Sequence, residues 1–246
     1  MQRLLPGPSL PELADNDLVE LYGFPARPKG PWVRANFVTT LDGAAQGADH
    51  RSGTLSPPAD ARIFALLRSL CDVILVGAGT TRAEGYQPVR KEEVNAGLRA
   101  EHGLAALPAI AVVSRSLDLD PALVRGAEAP TIVVTVASAP ADRLAAIRAA
   151  APVVVAGEER VDLDLAVASL GAAGHRAVLC EGGPSLLHGL VASGRLDDLC
   201  LTLTPQLVAG SRLRIVNGAA VEPPATMALA HLLAEDGVLF ARYTAA

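Results

Sequence analysis

Two glycine-containing segments of this sequence combine residue types that suit the binding of a phosphate-bearing cofactor. The first, Glu181-Gly182-Gly183-Pro184-Ser185-Leu186, follows an apolar stretch that predicts a buried strand. Glycine lets the backbone approach a ligand closely, and proline fits the first turn of a helix, where its missing N–H is not needed. Because the N–H groups at a helix start bind phosphate, this run predicts a pyrophosphate site.

The second glycine turn, Gly77-Ala78-Gly79-Thr80-Thr81, follows the predicted strand Asp72–Val76. It lacks the full G-x-G-x-x-G fingerprint, which also requires an acid after the next strand. Here Ser114-Arg115 follows the next predicted strand, Ala109–Val113. A hydroxyl and a guanidinium suit a 2′-phosphate, since arginine donates bidentate, charge-assisted bonds to phosphate. The Ser-Arg pair alone is typical of a solvated loop, but with two glycine turns it favours NADP(H) over NAD(H).

Two acidic residues beside these segments are candidates for catalysis. Asp42 follows the predicted strand Val33–Thr39, and Glu181 precedes the diglycine. Either carboxylate can accept hydrogen bonds from a substrate or relay a proton to it. The competing interpretations are a simple turn at Asp42-Gly43 and an outward-facing, solvated side chain at Glu181, because a carboxylate aimed at pyrophosphate would repel it.

The elements that must position these residues alternate between strand and helix. Besides the strands already named, apolar runs predict strands at Thr131–Val136, Val153–Ala156, Ala177–Cys180 and Leu199–Thr204. Helices are predicted near Leu13–Tyr22, from Ser56 as N-cap and Pro57 as first helical residue to Leu70, and at Ala141–Ala150, Leu165–Ala173 and Pro184–Ser193. The alternation predicts an α/β fold with a mainly parallel sheet covered on both faces.

The two ends of the chain depart from this alternation. Residues 1–30 carry five of the 18 prolines and are interpreted as an N-terminal extension, which leaves 31–246 as a single domain. Residues 85–108 are irregular and predict a surface excursion. Ala228–Leu233 and Val238–Tyr243 flank Asp236-Gly237, a strong turn signal, and predict a closing antiparallel hairpin.

Composition excludes several functional classes. The net charge is -5 and only 3% of residues are aromatic, which argues against a nucleic-acid partner. The three cysteines show no CxxC spacing and no HExxH is present, so no metal site is expected. No apolar run is long enough for a membrane span, and the N-terminus does not resemble a signal peptide, so we expect a cytoplasmic protein without membrane association.

The motifs Trp32–Gly43, Gly77–Thr80, Ser114-Arg115 and Glu181–Leu186, with Leu203-Thr204-Pro205 after them, resemble the pyrimidine reductase family of riboflavin biosynthesis. The resemblance implies a dihydrofolate reductase-like fold: a mostly parallel central sheet flanked by helices, with a C-terminal antiparallel hairpin. It also implies a homodimer. The implied reaction is NADPH-dependent reduction of the ribosyl group of 5-amino-6-(5-phosphoribosylamino)uracil to a ribityl chain.

The resemblance also implies roles for individual residues. With the pattern-based assignments, the residues expected to contact NADPH are Thr39, Thr54, Gly77, Gly79, Thr80, Glu84, Ser114, Arg115, Gly182, Gly183, Pro184, Ser185 and Leu186. Those expected to contact the heterocyclic substrate are Asn36, Ser52, Ser56, Arg68 and Arg90, beside the candidate catalytic residues Asp42 and Glu181. Arg68 and Arg90 would hold the ribose 5-phosphate, and Asn36 takes the place of a lysine common in the fused bacterial enzymes.

Two alternatives remain open at the level of sequence. The segment Arg82–Arg90 is one residue shorter than the family pattern and lacks its Asp-Asp-Pro, so the substrate is less well supported than the cofactor. A dihydrofolate or pterin reductase of the same fold would use an acid to bind a pterin amidine. A nucleotide-binding protein without turnover would bind NADPH and reduce neither substrate.

Overall fold

A computed structural model describes residues 1–7, 12–25, 30–125 and 128–246. Residues 8–11 and 26–29 of the predicted N-terminal extension lie outside the described residues. The strands are β1 (Gln2–Leu5), β2 (Trp32–Thr40), β3 (Val73–Gly77), β4 (Ala109–Val113), β5 (Thr131–Thr135), β6 (Val153–Val155), β7 (Ala177–Cys180), β8 (Asp198–Thr204), β9 (Met227–Glu235) and β10 (Val238–Ala245). The α-helices are α1 (Asp15–Tyr22), α2 (Pro58–Leu70), α3 (Ala78–Glu84), α4 (Ala96–Glu101), α5 (Pro121–Val124), α6 (Ala141–Arg148), α7 (Leu163–Ala172) and α8 (Pro184–Ala192).

Over the described ranges the strands form one ten-stranded sheet in the order β1-β9-β10-β8-β2-β7-β3-β4-β5-β6. From β8 to β6 along this order, neighbouring strands are parallel. At the other end β10 pairs antiparallel with both β8 and β9, and β1 pairs antiparallel with β9. The predicted α/β class, with a mostly parallel sheet and a C-terminal hairpin, is confirmed.

Strands β3, β4 and β7 are apolar throughout because both faces of the sheet are covered there. In β3, Ile74 and Val76 face one core with α2, whereas Val73 and Leu75 face a second core with α7 and α8. All four are fully buried. The hairpin turn has positive φ at both Asp236 and Gly237, the geometry that an Asp-Gly pair favours between antiparallel strands.

The N-terminal segment contributes to both the sheet and the core. Strand β1 adds the outermost strand beside β9, and the buried Leu18 and Tyr22 of α1 join the core on the α2 side. Arg34 on β2, itself fully buried, donates to the carbonyl oxygens of Tyr22 and Gly23 at the end of α1. These contacts fix α1 against the strands that lead to the cavity described below.

The start of α2 differs from the prediction by one residue. The first helical residue is Pro58, Pro57 is the N-cap with extended backbone, and Ser56 does not cap the helix. The cause is the second proline, since the residue before a proline is driven out of the helical region. The Ser56 hydroxyl instead donates to the Asp60 carboxylate.

The predicted turn at residues 77–81 is wrong in its extent, because helix α3 begins directly after Gly77 and ends at Glu84, with Gly85 as its C-cap at φ +72°. The predicted surface excursion at 85–108 is also wrong in part. It contains α4, whose Arg99 is 1% exposed and donates to the backbone oxygens of Arg68 and Cys71 at the end of α2. Arg99 thereby satisfies carbonyls that a helix C-terminus leaves without partners.

Candidate active site

A cavity of about 830 Å³ opens at the carboxyl ends of β2, β3 and β7, bordered by one face of α2 and by the starts of α3 and α8. In parallel α/β sheets this edge is the usual place for a ligand. The sequence-predicted residues that line it are Asn36, Ser52, Ser56, Arg68, Gly77, Gly79, Thr80, Glu84, Arg90, Glu181, Gly183, Pro184, Ser185 and Leu186. The fold therefore gathers most of the predicted cofactor and substrate residues into one space.

The two glycine turns touch each other on one wall of this cavity. The Gly77 N–H donates to the Gly182 carbonyl at 2.8 Å, and the Gly182–Gly183 peptide is cis. Gly182 has φ of +99°, and a Cβ added there would lie 3.2 Å from the Phe37 ring. At Gly183 an added Cβ would lie 2.5 Å from Thr80 Oγ1. Only glycine allows the β3 and β7 turns to approach this closely.

Helix α8 starts at this wall. Gly183 is its N-cap, Pro184 is its first residue, and the stretch from Gly183 to Leu186 lines the cavity. The positive end of the helix dipole therefore lies at the cavity surface, beside the backbone N–H groups of the first turn. The α3 start, with Gly79 and Thr80, lines the same wall. The combination fits the pyrophosphate of a dinucleotide.

A second part of the cavity lining is formed around a buried ion pair next to the glycine turn. Arg68 on α2 donates to Glu181 at two points, Nε to Oε1 at 2.8 Å and Nη2 to Oε2 at 2.7 Å. The Tyr86 hydroxyl donates to Glu181 Oε2 at 2.7 Å. The guanidinium of Arg68 also lies 4.3 Å from the Phe64 ring centroid. Arg68 is 9% and Glu181 8% exposed, so Glu181 is not a solvated loop residue.

The electrostatics of this cluster follow from burial and charge pairing. Burial by itself lowers the pKa of Arg68, but the Glu181 carboxylate more than offsets it, and the net pKa of Arg68 is raised. Burial, together with the nearby Glu181 charge, raises the pKa of Tyr86 well above its ordinary value. Arg68 is therefore fully charged and Tyr86 a neutral donor at physiological pH.

The two arginines that were assigned to phosphate share one carboxylate. Arg68 Nη1 lies 3.1 Å from Glu93 Oε2, and Arg90 Nη2 lies 3.2 Å from Glu93 Oε1. The Arg90 side chain is 72% exposed at the cavity rim. Glu93 thus bridges the two guanidinium groups, and nothing in the sequence pattern indicated this contact.

Asp60 is a cavity residue that the sequence analysis missed. It lies in the first turn of α2 and is 5% exposed. Its carboxylate accepts from Thr202 Oγ1 on β8 and from Ser56 Oγ, each at 2.5 Å. Burial raises the pKa of Asp60, although both hydroxyl donors act to lower it. An acid near a helix start is normally explained by the helix dipole, which is why the pattern gave no signal.

Two other predicted residues in the cavity are bonded to each other. The Ser52 backbone N–H and hydroxyl donate to Glu84 Oε1 at 2.8 and 3.0 Å. This contact joins the loop after β2 to the end of α3. Asn36 on β2 differs, because its Oδ1 is buried and has no hydrogen-bond partner. An unpaired buried acceptor at a cavity wall points to a donor supplied by a ligand.

Asp42 lies outside the cavity. Its exposed carboxylate accepts from Thr40 Oγ1 and from the backbone N–H groups of Val208 and Ala209. The hydrogen bond from Thr40 is the main cause of a lowered pKa for Asp42. The structure therefore places Asp42 in the junction between the β2 and β8 loops, apart from Glu181.

Five predicted cofactor residues also lie beyond the cavity lining, and one of them is Gly182 in the glycine turn after β7. Thr39 Oγ1 donates to the Ala44 carbonyl at 3.1 Å, and Thr54 Oγ1 donates to Asp49 at 3.0 Å. Ser114 Oγ accepts the Leu117 N–H at 3.0 Å, and Arg115 is exposed. Ser114 and Arg115 follow β4, next to β3, which places them along the same sheet edge as the glycine turns.

In the described part of the chain, no group of His, Cys, Asp or Glu side chains is arranged to hold a metal ion. Among the described helices, none has the length and apolar character required to cross a membrane.

Comparison with known proteins agrees with this arrangement. Residues 31–237 match the RibD C-terminal domain. The chain belongs to the RibD C-terminal domain family. A curated relative from Methanothermobacter thermautotrophicus, named 2,5-diamino-6-ribosylamino-4(3H)-pyrimidinone 5′-phosphate reductase, is 32% identical over 198 residues, which cover 78% of this chain and 86% of that protein. The resemblance to the riboflavin-pathway pyrimidine reductases is confirmed.

Two solved structures are similar in fold to this RibD C-terminal domain. A pyrimidine reductase-like protein from Corynebacterium diphtheriae is 27% identical, with a TM-score of 0.80 over 93% of this chain and 98% of that chain. Dihydrofolate reductase from Enterococcus faecalis is 11% identical, with a TM-score of 0.50 over 87% of this chain and 96% of that chain. The second likeness concerns the fold alone and confirms the predicted dihydrofolate reductase-like architecture.

Proposed function

We propose that this protein is an NADPH-dependent reductase that converts the ribosylamino group of a 5′-phosphorylated aminopyrimidine to a ribitylamino group. The observation that carries the proposal is that one cavity is lined both by the paired glycine turns and by the Glu181–Arg68–Tyr86 cluster next to them. The reductase named in Methanothermobacter thermautotrophicus supports the same reaction class. Its substrate carries an amino group at C2, where the uracil compound predicted from the sequence carries oxygen.

The cofactor assignment rests on the fit of the glycine wall. The α8 start and the backbone at Gly183 would hold the pyrophosphate of NADPH, with Thr80 beside it. Ser114 and Arg115, further along the sheet edge, would meet the 2′-phosphate, for which an exposed guanidinium is well suited. Bound NADPH would supply the hydride, and the protein residues would supply position and charge.

Glu181 is the carboxylate that we place at the reacting part of the substrate. Three donors, two from Arg68 and one from Tyr86, hold it in one orientation. A fixed carboxylate can accept an N–H or O–H of the substrate and so orient the ribosylamino chain toward the cofactor wall. Tyr86 is a neutral hydroxyl next to that carboxylate and can take part in proton delivery. We do not extend this role to Asp42, since its carboxylate is engaged by the 208–209 backbone.

The phosphate of the substrate would bind at Arg68 and Arg90. In the structure both guanidinium groups point at Glu93, which occupies the place between them. A phosphate carries more charge than a carboxylate and offers three acceptor oxygens, so it can replace Glu93 at Arg90 and at Arg68 Nη1. Arg68 would keep its two bonds to Glu181 throughout.

A second candidate, a dihydropterin reductase, is favoured by one observation. Two of the donor positions of Arg68 are committed to Glu181 and a third to Glu93, so the arginine already has acid partners without a phosphate. Asp60 would then meet the pterin amidine. The two candidates share the glycine turns and differ in the ring that the cavity holds and in whether the rim at Arg90 binds a phosphate.

We also propose a homodimer. Alternate residues of β8, Asp198, Cys200, Thr202 and Thr204, are buried, whereas the opposite face of the strand is half-exposed and apolar. Cross-strand neighbours on β10 extend this face, which comprises Leu199, Leu201, Leu203, Leu239, Ala241 and Tyr243. A second copy of the chain would cover it. Light scattering should give about twice 25.3 kDa, and Leu201→Glu should reduce this to the monomer mass; monomeric wild type would contradict the proposal.

A cytoplasmic location completes the proposal, supported by three free, buried thiols. The decisive experiment is NADPH oxidation, followed by absorbance, with the phosphoribosylamino-pyrimidines and with dihydrofolate in parallel. Turnover of a pyrimidine supports the first candidate, and turnover of dihydrofolate alone supports the second. Tight NADPH binding with no oxidation in any assay would leave a nucleotide-binding protein and refute both.

A further inference from the structure

Asp60 is a buried carboxylate whose partners in the structure are neutral. Thr202 Oγ1 donates to Oδ1 and Ser56 Oγ donates to Oδ2. A carboxylate oxygen has two lone pairs, so each oxygen retains one site for another donor. Because Asp60 lines the cavity, a bound molecule can supply those donors. Two free acceptor sites on one planar group match a pair of adjacent N–H donors.

The face of α2 that borders the cavity carries three different chemical groups in order. Asp60, Phe64 and Arg68 are four residues apart, so they lie on one side of the helix, and all three line the cavity. At about 1.5 Å rise per residue, Asp60 and Arg68 are separated by about 12 Å along the helix. An acceptor thus lies at one end, an aromatic ring in the middle and the cationic rim at the other end.

We propose that Asp60 determines specificity for a 2-amino-4(3H)-pyrimidinone ring over a uracil ring. The inference rests on the proposed reductase function and names the substrate ring at the same site. A 2-amino-4(3H)-pyrimidinone presents two adjacent donors, N3–H and the 2-amino group, which a carboxylate can accept together. Uracil presents N3–H beside the C2 carbonyl oxygen. That oxygen would face a carboxylate oxygen, and two acceptors in contact repel each other.

The order of groups along α2 agrees with the connectivity of the substrate. In the pyrimidine ring, N3 and C2 lie across from C6, the atom that bears the phosphoribosylamino chain. With the N3–C2 edge at Asp60, the chain therefore extends away toward Glu181, Arg68 and Arg90. Phe64 lies between these ends, and its side chain lines the cavity at the level of the ring.

A second acceptor on the same side of the sheet supports this assignment. Asn36 and Val38 are two residues apart on β2, so their side chains share a face, and Val38 is the register partner of Thr202, which holds Asp60. Oδ1 of Asn36 is buried without a partner. Oδ1 of Asn36 therefore offers a second acceptor on the same side of the sheet as Asp60, to which an amino substituent of the ring can donate.

Asp60→Asn gives the sharpest test because it converts one oxygen to a donor with little change of shape. Asparagine can accept N3–H and donate to C2=O, which matches uracil. The hydroxyls of Ser56 and Thr202 can accept as well as donate, so the amide can be accommodated. kcat/KM is measured for the 2,5-diamino-pyrimidinone and for the 5-amino-uracil, both as phosphoribosylamino compounds. Asp118→Asn, an exposed carboxylate outside the cavity, is the matched control.

Wild type and Asp118→Asn should prefer the diamino compound by ~100-fold or more, and Asp60→Asn should reverse that preference. A structural role would lower kcat/KM for both compounds by the same factor, and an unchanged ratio would overturn the proposal. A wild-type preference for the uracil compound would overturn it without any variant. Asp60→Ala serves if the asparagine variant misfolds, as judged by thermal melting, and should bring the ratio close to one.

Ring binding separates this inference from the proposed reaction. The probes are 2,5,6-triaminopyrimidin-4(3H)-one and 5,6-diaminouracil, titrated calorimetrically into the full chain with NADPH present. Wild type should favour the first and Asp60→Asn the second. If this reversal occurs without turnover of either full substrate, the ring assignment stands and the reductase proposal fails. If turnover occurs but wild type and Asp60→Asn show the same preference between the two rings, the ring assignment fails and the reductase proposal stands.

Discussion

Arg68 and Glu181 form a buried, two-point ion pair although 113 residues separate them in the sequence. The pair joins the cavity face of α2 to the end of β7, where the glycine turn toward α8 begins. Both oxygens of Glu181 are bonded by the guanidinium, and Tyr86 adds a third donor. The cavity face of α2 and the start of the glycine turn after β7 are thereby fixed relative to each other through one arginine.

Arg68→Lys should separate orientation of Glu181 from binding of phosphate. Lysine keeps the charge but lacks the planar fork that holds both carboxylate oxygens. With Glu181 less well held, kcat should fall by about 100-fold, while the dissociation constant of NADPH stays within about twofold. Steady-state kinetics with the preferred pyrimidine checks this, with the exposed Arg62→Lys on the same helix as control. A raised KM at unchanged kcat would show instead that Arg68 binds the phosphate uniformly in ground and transition states.

Gly183→Ala should weaken NADPH binding. The new Cβ would meet Thr80 Oγ1 at 2.5 Å, so the Thr80 side chain must change rotamer or the two glycine turns must move apart. We expect the dissociation constant of NADPH to rise by at least tenfold, about 1.4 kcal/mol, with partial recovery in the double variant with Thr80→Ala. Calorimetric titration measures both. Gly30→Ala, where an added Cβ meets nothing within 4 Å, is the control. Wild-type affinity in Gly183→Ala would contradict the assignment of this wall.

The position of the glycine turn and of the α8 start at the cavity was predictable from sequence because the signals are local. Gly182, Gly183 and Pro184 act through their own backbone, and each follows a strand whose apolar run is unambiguous. Asp60 was not predictable, because its exposure and orientation depend on Thr202, 142 residues away. An acid in the first turn of a helix stabilises that helix by itself, so its presence gives no information about a cavity.

The two candidate catalytic acids also show what a local sequence pattern cannot predict. Asp42 and Glu181 both follow a strand and precede glycine, so the local patterns were nearly equivalent. Tertiary contacts separate them: Glu181 faces the α2 arginine, whereas Asp42 meets the backbone of Val208 and Ala209. Likewise, β1 has only four residues and no alternation, and only pairing with β9 makes it a strand.

Glu93→Gln should improve binding of the phosphorylated substrate. Glu93 now neutralises Arg68 and Arg90, and a phosphate entering between them must displace its charge. Removing that charge should lower KM by about threefold to tenfold and leave kcat within twofold, since the group acts before the chemical step. The neighbouring exposed Glu92→Gln should change neither constant. An increase of KM in Glu93→Gln would mean that Glu93 organises the arginines for phosphate and does not compete with it.

Asp198→Asn should destabilise the fold strongly. The Asp198 carboxylate is fully buried and accepts from Arg34 at 2.7 Å and from Arg242 at 2.8 Å. Removing one charge of a buried group costs about 3–5 kcal/mol because the remaining guanidinium groups lose their partner. Urea unfolding at neutral pH should show this, whereas Asp164→Asn, which removes an exposed ion pair with Arg195, should cost under about 1 kcal/mol. Similar losses in both variants would refute the distinction.

The same buried cluster predicts that titration of Asp198 lowers the free energy of unfolding at acidic pH. Burial by itself raises the pKa of this carboxyl, but Arg34 and Arg242 outweigh it and the net pKa is lowered. A carboxyl with a depressed pKa in the folded state stabilises above its unfolded pKa of about 3.9, and this contribution is lost as pH falls through the lower folded value. Unfolding free energies of the wild type should therefore drop below about pH 4 more steeply than those of Asp198→Asn.

His231 should cause a separate fall in the free energy of unfolding as pH decreases from 6.5 to about 4. It is 2% exposed on β9, packed edge-on against Tyr22 at 4.8 Å, and burial together with the Arg242 charge lowers its pKa from 6.5 to about 4. Above pH 6.5 the histidine is neutral in both states and contributes no pH dependence. As pH falls from 6.5 to about 4 the unfolded chain binds a proton that the folded protein does not, which costs about 3 kcal/mol. In urea unfolding between pH 7 and 4.5, the free energy of unfolding of His231→Gln should depend less on pH than that of the wild type. The control His102→Gln, at an exposed histidine, should keep the wild-type pH dependence. An unchanged pH dependence in His231→Gln would mean that another group titrates in this range.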